Sequence, residues 1–335
     1  MYRVGIIGCG EILIRHIESI NKNEDFQLVS LCDIDDDKLN KAQRYYGGKI
    51  YKSYREMIDE GDLNFVVVAT PNSLHFHQAK YALENGCDVL VEKPVSLNPK
   101  DISRLSELAE ENNQKAYTVL QVRLNPTVLA IKDLLDNNFL GKLRGVSLIQ
   151  RWQRPFSYFS GWRSEPLIGG GTLYECGIHY IDVMCNMFGK PRSSHTSVYN
   201  TKHHHTEIED TIYSILDFGD FGGSLEVNVS SEPRNLECSI SILGEKGYIK
   251  IGGKALDKIE EYGFLDEEMD KEFNSVLMRM PDSLGANSYG THAGSCPNHP
   301  TLYSRLSEFE ITESSDSIDL IDEIYNNANI KYYID

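Results

Sequence analysis

Lys93 stands in Glu92-Lys93-Pro94, directly after the apolar run DVLV, and His179 stands eight residues past Gly169-Gly170-Gly171. These are residue types that can work on a hydroxyl group. Oxidising a secondary alcohol takes a proton from oxygen and a hydride from carbon. A cofactor receives the hydride, so the chain must supply a base and a positive or hydrogen-bonding group for the oxygen as it becomes an alkoxide. An ammonium at the carboxyl end of a buried strand can serve the oxygen. An imidazole on a helix beginning near Thr172 can take the proton. Glu175, His179 and Asp182 are spaced i, i+4 and i+7, which puts them on one helix face, where a carboxylate can fix the imidazole tautomer. A metal on that Glu/His/Asp face would need a further ligand cluster, and none is expected.

The start of the chain points to a dinucleotide. Gly8-Cys9-Gly10 lies where the apolar run VGIIG gives way to a helical pattern. The first glycine permits a tight turn, and the second lets a pyrophosphate approach the backbone at a helix N-terminus. Leu13 holds the place of the third glycine of G-x-G-x-x-G, which bears on helix–strand packing rather than on the phosphate site. The next apolar run ends in Cys32-Asp33-Ile34-Asp35, with Asp33 25 residues after Gly8. A carboxylate there accepts the ribose hydroxyls. Set ~4 Å from a 2′-phosphate at an effective dielectric of ~20, it would be repelled by roughly 4 kcal/mol. NAD is therefore expected over NADP, the bland alternative being that Asp33 only caps the following helix. Glu11, Ile12 and Ile34 are assigned to the cofactor with their neighbours.

These residues need a scaffold, and the pattern of the chain supplies one. The runs at 4–8, 26–32, 64–70, 88–92 and 115–120 are rich in Val, Ile and Leu with little alternation, as in strands buried on both faces of a parallel sheet. Amphipathic stretches at 53–60, 73–86 and from Pro99 onward separate them, giving a doubly wound α/β sheet. After a helix at 126–138, the runs at 143–152, 210–218, 224–232 and 236–243 alternate more clearly, as in a large, open, mostly antiparallel sheet. The expected division is a dinucleotide-binding domain at 1–122 and an α/β substrate-binding domain at 123–335, closed by a helix at about 316–330. The acidic stretch at 253–300 has little period, and no element is assigned to it.

Lys and Arg total 33 against 50 Asp and Glu, a net charge of −17, which argues against nucleic acid or an anionic membrane as partner. No apolar run reaches the length of a membrane span. Seven scattered cysteines without a C-x-x-C pair read as reduced thiols, and a cytoplasmic location is expected.

The segments GCGEILIRH (8–16), TPNSLHFHQA (70–79), VEKPVS (91–96) and GGGTLYECGIHYID (169–182) resemble, in order and over essentially the whole chain, the glucose–fructose oxidoreductase/inositol dehydrogenase-like (Gfo/Idh/MocA) family. The resemblance implies an N-terminal Rossmann domain, a C-terminal α/β domain whose open sheet forms the interface of a homo-oligomer (dimer or tetramer), and NAD(P)-linked oxidation or reduction of a sugar or cyclitol hydroxyl. Carried over by position, Lys93 matches the family lysine between nicotinamide and substrate, and His179 the catalytic histidine. Thr70, Asn72 and His75 match the cofactor-side turn, to which Glu92 is added. Glu175 falls where many members carry Asp, one methylene longer.

Between Asp136 and Glu165 there is no acid, yet Lys142, Arg144, Arg151, Arg154 and Arg163 are all basic, with Trp152, Tyr158 and Trp162 among them. Arginine captures carboxylate and phosphate through two bonds, and aromatic faces stack. An anionic substrate such as a nucleotide-linked sugar acid is expected; an exposed sheet surface or a subunit contact would account for the same window. VLQVRLNPTV (119–128), W-x-R-P (152–155), SGWRSEP (160–166) and NHPTLY (298–303) look like enzymes that oxidise C3 of UDP-linked N-acetylamino-hexuronic acids on the way to bacterial surface polysaccharides. That likeness puts Gln121 and Arg123 near the nicotinamide and sugar and Arg163 near a substrate anion; Arg154, Trp162 and Asp182 are assigned to the substrate with them. It also implies 2-oxoglutarate as an acceptor that reoxidises NADH in place. The competing readings are a dehydrogenase of a free sugar or of a cyclitol such as myo-inositol, and a sugar- or dinucleotide-sensing regulator.

Overall fold

The computed structural model describes residues 1–288 and 293–332. Its elements begin β1 (Tyr2–Ile7), α1 (Leu13–Asn21), β2 (Phe26–Cys32), α2 (Asp36–Tyr46), β3 (Lys49–Tyr51), α3 (Tyr54–Glu60), β4 (Phe65–Val68), α4 (His75–Glu84), β5 (Asp88–Val91), α5 (Pro99–Glu111) and β6 (Ala116–Thr118). They continue with α6 (Pro126–Asp136), β7 (Leu143–Arg151), α7 (Pro166–Gly169), α8 (Ile178–Phe188), β8 (Ser193–Asn200), β9 (Thr211–Asp217) and β10 (Gly222–Asn228). Last come β11 (Glu237–Gly244), β12 (Gly247–Gly252), β13 (Lys258–Phe264), α9 (Glu267–Arg279), α10 (His299–Tyr303), α11 (Ser315–Asn327) and β14 (Asn329–Tyr332). Two compact units result: Met1–Leu120 with Leu167–Gly170 and His299–Ile318, and the remainder of the described chain. The chain first passes from one unit to the other between Leu120 and Gln121 and crosses again several times.

The first unit holds a six-stranded parallel sheet in the order β3-β2-β1-β4-β5-β6. Its central strands are buried on both faces, all four residues of β4 included, which is why they read as unbroken apolar runs. Helix α1 buries Leu13, His16, Ile17 and Ile20, an i, i+3, i+4, i+7 stripe laid on the sheet. Each aliphatic side chain so buried contributes roughly 1.5–3 kcal/mol. Strand order reverses between β1 and β4, and at such a switch point the loops leaving the strands' carboxyl ends part to admit a ligand.

The second unit holds an eight-stranded sheet in the order β13-β12-β11-β7-β10-β9-β8-β14, antiparallel except where β7 pairs β10 and β8 pairs β14. Strand β7 alternates, burying Val146, Leu148 and Gln150, while Ser147, Ile149 and Arg151 face the other way. On that other face Tyr213 and Ile215 are exposed, and Ser224 donates to Ser147 across the sheet at 2.9 Å. The stretch left unassigned from sequence contains β13 and α9. Asp266 caps α9, and Phe273, fully buried, packs on Phe139, Tyr262 and Phe264. The abundance of acids there hid one apolar anchor.

Candidate active site

In the first unit the turn after β1 is built as the glycine spacing requires. Gly8 has φ +104°, and a Cβ there would lie 2.2 Å from the Ala69 carbonyl oxygen, so two loops leaving adjacent strands can approach only through glycine. Gly10 faces open space, with nothing within 4 Å of the position a Cβ would take. Helix α1 starts at Leu13 with no side chain capping it, the Leu13 and Arg15 amides donating instead to the Gly10 and Ile12 carbonyls at 3.2 and 2.9 Å. The Asp33 carboxylate accepts the Cys9 amide at 2.7 Å and the Asp35 amide at 2.8 Å. Asp35, not Asp33, caps α2 by accepting from the amides of Asp37 and Lys38. Ile34 beside it is 87% exposed. An open glycine cradle, an uncapped helix start and a fixed carboxylate at the end of β2 fit a dinucleotide.

The other cofactor-side residues serve as braces. His75 is buried, with Nδ1 2.7 Å from the Pro94 carbonyl oxygen and Nε2 2.8 Å from that of Thr70. Burial pushes its imidazole down, against the pull of both carbonyls, and a neutral ring donates to only one of them. Thr70 donates its hydroxyl to Gln78 at 2.6 Å, and Asn72 donates to the Gly169 carbonyl at 2.8 Å. Glu92, assigned to the cofactor from sequence, instead turns its buried carboxylate to His16 Nε2 at 3.1 Å and His299 Nε2 at 3.3 Å. Among the described residues these three donors are the set brought within metal-ligand distance, all within 4.8 Å of one another. Sequence spacing could not show it, because Glu92 and His299 are 207 residues apart. Lys93 follows on the same loop, half-buried.

In the second unit His179 is buried on α8, its Nε2 3.4 Å from Ser295 Oγ, to which Gln121 donates at 3.1 Å. Ser295 was missed because it lies in the stretch left unassigned. Arg123 and Asp182, both assigned to substrate, hold each other through two bonds of 2.8 Å. The helix does not begin as expected: Leu173–Gly177 is a π-helical turn, and the α-helical part begins at Ile178. The wider turn breaks the regular spacing that placed Glu175 on one face with His179 and Asp182. Such turns concentrate at functional sites.

Glu175 accepts from Arg163 Nε at 2.6 Å and from the Tyr158 hydroxyl at 3.1 Å, and the Arg163 guanidinium lies over the rings of Trp162 and Tyr158. An arginine expected to hold a substrate anion thus neutralises an acid of its own chain. Arg151 is likewise answered by Glu226 and Glu237. The window is free of acids in sequence and supplied with them in space. Arg154 is 2% exposed, stacked on Trp152 and Tyr158, with Nη1 donating to the Gln153 carbonyl. The histidine run at 203–205 anchors this segment: His203 Nε2 lies 3.1 Å from the Arg154 carbonyl oxygen, and His205 Nε2 the same distance from that of Phe159. Glu209 accepts from the Thr172 amide at 2.7 Å and from the Tyr325 hydroxyl, just before the π-turn. Burial pushes its carboxyl up to about 7, against those bonds.

Comparison with known proteins gives the family of the chain. Residues 2–120 match the profile of the oxidoreductase family with NAD-binding Rossmann fold (GFO_IDH_MocA), and residues 128–250 that of the GFO/IDH/MocA C-terminal domain. An oxidoreductase of Formosa agariphila is 29% identical over 254 residues, 73% of this chain and 77% of its own. The glucose-6-phosphate 3-dehydrogenase of Bacillus subtilis is 26% identical over 75% of this chain and 74% of its own. The crystal structure of the WlbA dehydrogenase from Bordetella pertussis in complex with NADH and UDP-GlcNAcA superposes with a TM-score of 0.84 at 27% identity, covering 97% of this chain and 95% of that one.

Proposed function

Because the chain belongs to the GFO/IDH/MocA oxidoreductase family and binds NAD through its Rossmann domain, we propose that it oxidises a secondary hydroxyl, at C3, of a UDP-linked N-acetylamino-hexuronic acid. The observation that carries this reading is the likeness, over 97% of the chain, to a dehydrogenase crystallised with NADH and UDP-GlcNAcA. The 3-dehydrogenase of glucose 6-phosphate among the relatives supports both the carbon and an anionic sugar.

Bound NAD supplies the hydride acceptor at its nicotinamide. The turn at Gly8 and Gly10 holds its pyrophosphate and Asp33 its ribose. The Lys93 ammonium holds the reacting oxygen and stabilises it as it becomes an alkoxide. His179 takes the hydroxyl proton at Nε2, with Ser295 and Gln121 fixing the ring. Overall, alcohol and NAD⁺ give ketone, NADH and one proton. The open sheet face bearing Tyr213 and Ile215 meets a second copy of the chain.

One observation favours a second reading, a free sugar or cyclitol: Arg163, the intended anion anchor, is paired with Glu175. Single-turnover absorbance with the NAD-loaded protein separates the two. Reduced nicotinamide with UDP-N-acetylglucosaminuronate, and none with UDP-N-acetylglucosamine or myo-inositol, supports the sugar acid. A signal with myo-inositol alone overturns it. Loss of that signal on adding 2-oxoglutarate would identify the reoxidant.

A further inference from the structure

Glu92 is the residue between β5, whose Val89, Leu90 and Val91 are fully buried, and Lys93, and its side chain turns inward. Its amide continues the sheet by donating to the Val68 carbonyl at 2.9 Å. Its Oε2 accepts the amide of Lys93 at 3.2 Å, so the carboxylate folds back on the residue that follows it. Its Oε1 meets His16 from α1 and His299 from α10, both fully buried, with the two rings edge-on at 5.5 Å. The chain of contacts continues from His16 Nδ1 to the Tyr303 hydroxyl at 2.9 Å. Burial alone would raise the Glu92 carboxyl, but the two imidazoles outweigh it and hold it well below the usual range. An apolar side chain would pack here without desolvation cost, yet would leave the Lys93 amide and both imidazoles one partner short. Helix α1 is also the helix that follows the Gly8–Gly10 turn after β1. One buried carboxylate therefore joins the phosphate-holding helix to the main chain of Lys93.

We propose that Glu92 is a positioning residue, which with His16 and His299 fixes Lys93 relative to the cofactor-holding helix. The proposal rests on the reading of Lys93 as the group that holds the reacting oxygen. A misplacement of ~1 Å at such a group costs on the order of 100-fold in rate.

The test uses the NAD-loaded full chain, with E92Q, E92D and H299Q alone and E92Q combined with K93A. In the single variants kcat falls roughly 10- to 100-fold while the KM for NAD stays within about threefold. The primary deuterium isotope effect on kcat rises, because hydride transfer becomes the slow step. In the K93A background E92Q costs nothing further, as expected of a residue that acts through Lys93. An equal loss in both backgrounds overturns the proposal, as does a loss that follows the unfolded fraction measured by circular dichroism. H299Q keeps the carboxylate and carries the test if the Glu92 variants fail to fold. If the wild type turns over no sugar, the functional reading fails separately, and crystal structures of the NAD-loaded wild type and E92Q still decide this one. A Lys93 main chain that does not move overturns it; a displaced one upholds it. One equivalent of zinc in the purified wild type, absent from E92Q, would make the three side chains a metal site and also overturn it.

Discussion

The Arg123 guanidinium grips the Asp182 carboxylate through two bonds of 2.8 Å, with 11% and 2% of the two side chains left in contact with water. Breaking such a pair from one side strands a buried charge, which costs roughly 3–5 kcal/mol. Asp182→Ala should lower unfolding stability by about that amount in urea denaturation. Replacing both residues by Met and Leu should recover most of the loss, because no charge is then stranded.

Lys93→Met and His179→Asn should each lower kcat by about 10²–10⁴-fold, the range of a lost acid–base or oxyanion partner. Neither residue is placed against the cofactor's adenosine end, so NADH fluorescence titration should return an affinity close to that of the wild type. Wild-type turnover in Lys93→Met would remove the assigned role.

Asp33, held by the amides of Cys9 and Asp35, is the carboxylate proposed to face the adenosine ribose. Asp33→Ser removes a repulsion of roughly 4 kcal/mol and leaves a hydroxyl to hold the turn. The ratio of kcat/KM for NADP to that for NAD should rise by at least about 100-fold, read from initial rates with either cofactor.

Glu209 carries a carboxyl pushed up to about 7 in the folded chain, against an ordinary value of 4.5. Between those values the folded state holds a proton that the unfolded state has released. Stability should therefore fall as pH rises from about 4.5 to about 7, by on the order of 3 kcal/mol, and level off above. Glu209→Gln keeps an acceptor for the Thr172 amide and cannot ionise. Its urea midpoint should lose this slope and exceed that of the wild type at pH 8.

Much of this architecture is legible in the residues themselves. The strand FQLVSLC was bounded from sequence where the structure has β2, and the helices after Pro99 and Pro126 begin at those prolines. Strand β8, SSHTSVYN, escaped because its buried face is Ser194, Thr196, Val198 and Asn200, too polar to register as a core. At the candidate site, local spacing pointed to Gly8, Asp33, Lys93 and His179 as candidates. It could not find what depends on chain segments meeting. Ser295 reaches His179 across 116 positions and His16 meets Tyr303 across 287, and no periodicity records such a meeting. The pairing of Arg151 and Arg163 with acids was hidden for the same reason, since charge counted along a chain ignores the acids that the fold brings beside it.

The return of residues 299–318 to the first unit has a consequence for dissection of the protein. Tyr303 packs its ring on Phe26 at 5.1 Å, Glu310 bridges Tyr117 at the outer strand, and the Phe309 carbonyl receives the Thr118 amide at 2.9 Å. A fragment ending at residue 120 would lose all of these, expose the unpaired edge of β6, and leave Glu92 with one imidazole instead of two. Such a fragment would be soluble only with difficulty, since a bare strand edge is a template for association. The smallest autonomous dinucleotide-binding piece of this molecule is a discontinuous one, and grafting or swapping it between relatives requires carrying the late segment along.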